Sequence, residues 1–282
     1  MRLYHSYNKN KPCSNAYFKY ILFYIASYKI DKLHMHFKDL EKYLNEYFQV
    51  DLFKDYAPNG LQIQGDRNIK KVITGVTACQ ELIDKAILEN ADAIIVHHGY
   101  FWKGESYPIV GMKYNRISKL IKNGIHLFGY HLPLDGHYVI GNNILLAKKL
   151  GLTNLEFFET GSKPDISIIG DCNTSLDDFG KFIENKLDRK PTIIKANDNN
   201  KKVAICTGGA QDYIEMAYEA GADTFISGEI SERTTHTARE LGISYIAAGH
   251  HATEKEGVKA IAKLLKEKFG VDTKFIDVDN PA

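Results

Sequence analysis

The sequence predicts an α/β protein of two similar lobes, each a mixed sheet flanked by helices, with a cleft between them. Three observations carry this expectation. Short apolar runs of strand character alternate with longer helical ones along most of the chain, the pattern of crossover units in a largely parallel or mixed sheet. The segment Lys71 to Val96 (KVITGVTACQELIDKAILENADAIIV) aligns without gaps on Lys202 to Ser227 (KVAICTGGAQDYIEMAYEAGADTFIS), as an internal duplication would. Polar residues of ligand type follow the strands in both copies, where open α/β sheets gather their ligands.

The elements follow in chain order. Tyr17 to Tyr28 (YFKYILFYIASY) is apolar and aromatic and follows Lys9 and Lys11, which superficially resembles a signal peptide. Lys19 interrupts it, it lacks a small-residue cleavage site, and it is shorter than the roughly 20 residues that span a bilayer. Residues 1–34 therefore read as an extension outside the fold, with no membrane association. After Met35, Phe37, Leu40, Leu44 and Phe48 recur at helical period. A turn-rich stretch, Tyr56 to Gly60, leads into strands at Val72–Val76, Ala93–His97, Ile125–Tyr130, Ile166–Gly170, Thr192–Lys195, Val203–Thr207, Thr224–Ser227 and Ser244–Ala247. Between them lie helices at Gln80–Glu89, Tyr114–Lys122, Asn142–Leu150, Leu176–Leu187, Gln211–Glu219, Ser231–Leu241 and Glu254–Phe269. Residues 35–155 with 245–282 make the expected first lobe, and 156–244 the second.

At 282 residues and 44% hydrophobic content, the chain can bury a substantial core. Lys and Arg total 36 against 35 Asp and Glu, so no global basic charge announces nucleic acid, although a local stripe remains open. Cys13, Cys79, Cys172 and Cys206 form no CxxC pair, which supports neither a zinc knuckle nor a dense disulfide framework and points to a reducing cytoplasm.

Five residues stand out chemically. His97 and His98 end the apolar strand AIIV; side chains alternate along a strand, so two ions, or a break in the strand, are needed for both rings to bind metal. A hydrogen-bonded histidine pair is the bland alternative. His250 and Glu254 in GHHATE are four apart at the start of a helix, a spacing that puts both on one face, although Thr253 as N-cap with Glu254 on the helix dipole explains the same letters. Asp135 in HLPLDGH reads equally as a turn-making aspartate before Gly136. Jointly, three histidines and two carboxylates suit Zn, Mn, Fe, Co or Ni far better than calcium or magnesium. Such a centre would carry net positive charge, attract phosphate or another anion and activate water.

The motifs NGLQIQG at Asn59, HHGYFWKG at His97, YHLPLDGHYVIGNN at Tyr130, SGEISERTTH at Ser227 and GHHATEKEGV at Gly249 together resemble the Nif-three-like dinuclear-metal family, in its short bacterial form. Many of its members are catalogued as GTP cyclohydrolase I type 2 homologues. The resemblance covers about Met35 to Ala282 and implies two divalent metal ions per chain. It matches His97, His98, Asp135, His250 and Glu254 to the metal ligands and implies a toroidal homohexamer with metals facing its cavity. His131, His137, Glu229, His236 and His251 are candidates for supporting contacts, with a solvated helix face the blander account of His236. Tyr100, Phe101 and Trp102 read as aromatic packing rather than a base-stacking platform, and Thr207 to Gln211 (TGGAQ) as a tight βα turn rather than a phosphate loop. Three functions remain in view: a metal-dependent hydrolase, with GTP ring opening fitting the family label; a metal-handling protein without turnover; and a ring holding single-stranded nucleic acid, against which the balanced charge argues.

Overall fold

The computed structural model describes residues 35–282; the expected N-terminal extension, residues 1–34, lies outside the described residues. From Met35 the chain forms α1 (Phe37–Phe48), β1 (Gly60–Ile63), β2 (Lys71–Thr77), α2 (Gln80–Leu88), β3 (Ala93–His98), α3 (Gly111–Lys122), β4 (His126–Gly129), the one-turn α4 (Leu132–Asp135) and α5 (Asn142–Lys149). Then come β5 (Thr153–Phe158), β6 (Ser167–Asp171), α6 (Leu176–Leu187), β7 (Thr192–Ile194), β8 (Lys202–Ile205), and α7 (Ile214–Glu219) behind a 3-10 turn over Gln211–Tyr213. The chain closes with β9 (Thr224–Ser227), α8 (Glu232–Leu241), β10 (Ser244–Ala247), the one-turn α9 (His250–Thr253), α10 (Lys255–Phe269) and β11 (Asp272–Phe275).

Two mixed sheets result, flanked by helices. The first runs β1-β4-β3-β2-β11, parallel except for β1 against β4. The second runs β5-β6-β8-β9-β10-β7, with β8, β9 and β10 parallel. Strand β10 belongs wholly to the second sheet and β11 to the first, so by strand pairing the chain returns to the first sheet after Ala247.

Alternating side chains explain the layers, because successive residues of a strand face opposite sides. In the first sheet Val72, Ala93, Ile95 and Phe128 join α1 and α10 on one face, while Ile73, Ile94, Val96 and Leu127 join α2 and α3 on the other. In the second, Val203, Ile205, Ile226 and Ile246 meet α5 and α6, while Ala204, Phe225 and Tyr245 meet α7 and α8. The amphipathic pattern at the start holds: α1 buries Leu40, Tyr43, Leu44, Tyr47 and Phe48.

The sequence repeat is also a structural one. Val72 pairs with Ala93, and Val203 pairs with Thr224 in the matching register of the second copy. Asp92 accepts the backbone N–H groups of Lys70 and Lys71, and Asp223 accepts those of Lys201 and Lys202. Each copy then turns from its third parallel strand into a single helical turn, α4 or α9, close to the candidate ligands.

Candidate metal centre

The five residues come together between the two sheets. His97 and His98 end β3, Asp135 ends α4, His250 opens α9, and Glu254 lies between α9 and α10. Glu254 does not sit on a continuous helix with His250: its backbone (φ −110, ψ 12) breaks the path between the two helices. Thr253 does not cap the helix, contrary to the alternative reading of these letters; its hydroxyl donates to the His250 carbonyl and accepts from the Gly208 N–H. The four-residue spacing survives through this kink, and His250 Nε2 lies 3.2 Å from Glu254 Oε2.

Glu254 is the hub. Its Oε1 lies 3.4 Å from His97 Nε2, which is itself 3.5 Å from Asp135 Oδ1. Its Oε2 lies 3.2 Å from His98 Nε2 and 3.2 Å from His250 Nε2. The donors thus divide into His97, Asp135 and Glu254 on one side and His98, His250 and Glu254 on the other, each trio with its donor atoms within 4.8 Å. The alternation expected to splay His97 and His98 gives way here, with ring centroids 4.5 Å apart. Pairing of β3 with β4 stops at Val96, which leaves the end of β3 free of that neighbour.

Each imidazole is held from behind. His97 donates through Nδ1–H to the Tyr130 carbonyl at 3.0 Å, His98 Nδ1 lies 3.2 Å from Thr77 Oγ1, and His250 Nδ1 lies 2.6 Å from Glu229 Oε1. All three Nε2 atoms therefore point inward, the orientation by which outer contacts aim histidine ligands at an ion. Asp135 is fixed by Asn142 Nδ2 (2.9 Å) and Thr207 Oγ1 (3.2 Å). Buried polar groups are normally hydrogen-bonded, yet His97 Nε2 and Glu254 Oε2 are buried without a hydrogen-bond partner. One falls in each trio, and a cation in each would satisfy them.

The electrostatics agree. Burial opposes charge on His97, but the Asp135 and Glu254 carboxylates outweigh it and push the group up to about 9. Burial is likewise overcome at His250, which Glu254 and Glu229 raise to about 9. Burial, reinforced by the neighbouring His97, His250 and His131 imidazoles, lowers His98 to about 3 despite Glu254. Burial resists ionisation of Glu254, but the surrounding imidazoles pull it well below the ordinary carboxylate range. Burial and the Glu254 charge raise Asp135 against the pull of His97.

The supporting candidates divide. Glu229 holds His250. His131 faces the site, with its ring 5.0 Å from that of His97 and its Nδ1 2.7 Å from Asp55 Oδ1. His251 turns away, with Nε2 2.8 Å from Asp277 Oδ1. His137 is a core residue stacked 4.7 Å from Tyr47, and His236 is exposed beside Glu232. Trp102 sets an edge against His131 at 4.9 Å. The Thr207 to Gln211 segment is a tight turn whose Thr207, Gly208 and Ala210 amides bond within the protein. Missed from sequence as supporting contacts were Asp55 and Thr77, lone polar residues outside the site motifs, and Asn142 and Thr207, which lie inside quoted segments but were given no such role there.

A profile of the Duf34/NIF3 (NGG1p interacting factor 3) family matches residues 35–281. The chain belongs to the Duf34/NIF3 family. Among curated relatives, a "GTP cyclohydrolase 1 type 2 homolog" of Haemophilus influenzae is 51% identical over 86% of this chain and 98% of its own length. The protein of the same name from Escherichia coli (strain K12) is 46% identical, covering 86% of this chain and 98% of its own length. A solved structure described as protein ybgI, of unknown function, superposes with TM-score 0.84 at 45% identity, covering 88% of this chain and all of that one. Another, from Thermus thermophilus, gives 0.78 at 33% identity over 87% of this chain and 99% of its own. Among the described residues, no helix of this Duf34/NIF3 member is long and apolar enough to cross a membrane.

Proposed function

We propose that this chain is a dinuclear divalent-metal protein and a metal-dependent hydrolase of a nucleotide or other anionic substrate. In this reading His97, Asp135 and Glu254 would hold one ion, and His98, His250 and Glu254 the second. The observation that carries it is the buried Glu254 carboxylate, with each oxygen facing a different histidine group and every facing imidazole tied back through Nδ1. Imidazole and carboxylate donors suit Zn, Mn, Fe, Co or Ni. Five protein ligands leave coordination positions free, as catalytic sites require. Bound there, two dications would supply Lewis acidity that polarises a substrate oxygen and activates water.

The chain's own groups would prepare that chemistry. Glu254 lies between the two histidine groups, and Asp135 is locked by Asn142 and Thr207 so that its charge stays in place. His131, backed by the buried Asp55, and Trp102 would wall the approach of a substrate. The name carried by the relatives makes GTP the first substrate to try. We further propose, from the family resemblance, a homohexameric ring in the cytoplasm. The test is a screen of nucleotides and phosphoesters with metal-reconstituted protein in 18O-labelled water. Label in the product, lost on metal removal and restored by Mn or Zn, supports the hydrolase. Fully metallated protein that converts none of these substrates overturns it in favour of metal handling without turnover.

A further inference from the structure

Beyond β11 the chain runs back across the molecule. The Ile276 N–H donates to the Thr74 carbonyl at 2.9 Å, and Asp277 then lies 2.8 Å from His251 Nε2 and 3.1 Å from Lys255 Nζ. Val278 packs, partly buried, on the core beneath α2 and α3. The far end reaches the other lobe through the Arg189 guanidinium, just beyond α6, which donates to the Pro281 carbonyl, while the Ala282 main-chain oxygen accepts from the His251 N–H on α9. Asn280 and Ala282 line a cavity of roughly 200 Å³ together with Thr77, His98, His250 and His251. Two of those residues, His98 and His250, belong to the candidate metal centre. The segment therefore lies across one mouth of the centre, anchored on both lobes.

What holds it there is mostly polar and near the surface. Asp277, Asp279, Asn280, Pro281 and Ala282 are exposed, and Val278 supplies only partly buried apolar contact. Contacts of this kind are individually weak, and segments with few buried apolar contacts open at small cost relative to global unfolding. The walls behind the cavity, β2 and β3, are by contrast central strands of the first sheet.

We propose that Asp277–Ala282 is a strap that gates the centre, with the bond from Arg189 to Pro281 as its latch. It lifts to pass ions or substrate and lowers to exclude bulk solvent, as loop closure does at other sites. This rests on the metal-centre reading. The experiment compares the zinc-loaded full chain, a chain lacking residues 277–282, and Arg189→Gln, following zinc release to a colorimetric chelator. The deletion is expected to release zinc on the order of tenfold faster, equivalent to about 1.4 kcal/mol. Arg189→Gln should shift in the same direction, with zinc stoichiometry unchanged. Should the deletion fold poorly, Arg189→Gln decides alone, because it leaves every candidate ligand in place. A release rate in Arg189→Gln equal to that of the full chain overturns the gate. A full chain that takes up no zinc instead sinks the metal-centre reading, and the gate with it.

Discussion

Gly208 offers a sharp test of how tightly the fold is built around Glu254. It adopts φ +73, and a Cβ there would sit 2.2 Å from Glu254 Oε1 and 3.2 Å from His250 Nε2. Gly208→Ala therefore faces a left-handed backbone cost of roughly 1–2 kcal/mol and a collision cost of about 1–3 kcal/mol in a packed interior. Glu254, 2% exposed, can relieve the clash only by swinging its carboxylate away from the imidazoles. Stability should fall by roughly 2–5 kcal/mol, a large share of a typical domain's total, and metal affinity by about 10–100-fold or more. Gly151→Ala is the control: its φ is +76 but nothing lies within 4 Å of the added carbon, so it carries the backbone cost alone. Denaturant midpoints and metal titrations of the two variants against wild type separate the contributions. If Gly208→Ala binds metal normally and loses no more stability than Gly151→Ala, the Glu254 carboxylate does not sit between the two histidine groups.

Other expectations follow from single contacts. Glu254→Gln should cost both ions and Asp135→Asn one, with the fold retained; elemental analysis and circular dichroism check this, and full occupancy in either contradicts it. Glu229→Gln removes the carboxylate behind His250 Nδ1, and isothermal titration should show metal binding weakened roughly 10–100-fold. His126 is neutral in the fold, accepting from the Gly65 N–H through Nδ1 and donating through Nε2–H to the Arg67 carbonyl. Burial lowers it below the ordinary 6.5, so the unfolded chain takes up this proton first and the associated stability is lost as pH falls below that value. His126→Gln should lose less stability than wild type between pH 8 and pH 5.5, measured by chemical denaturation. A chain starting at Met35 should keep its fold and its metal, because the family match begins there.

The parallel strands were legible because they are apolar on both faces and separated by helical periods, and the repeat fixed which strands correspond. Three strands were not. β1 (GLQI) is four residues with a glutamine in it, β5 (TNLEFF) is largely solvent-facing, and β11 (DTKF) carries two charges; all three lie at sheet edges, where apolar patterning fades. At the site, His97–His98 and His250/Glu254 stood out as adjacent or four-spaced groups. The division into two trios around Glu254 did not, since it depends on a backbone kink at Glu254 and on the end of β3 running past its pairing with β4. Asp55 was invisible because it reaches its partner His131 across 76 residues of sequence. Its role arises only once the loop after α1 packs beside α4.

The central claim is that this chain binds two metal ions through its five convergent residues. It is tested most directly by elemental analysis of protein purified without chelators and then titrated with Zn or Mn. The expected result is about two ions per chain, falling together in Glu254→Gln. Protein that carries no first-row metal as purified and takes up neither ion would contradict it.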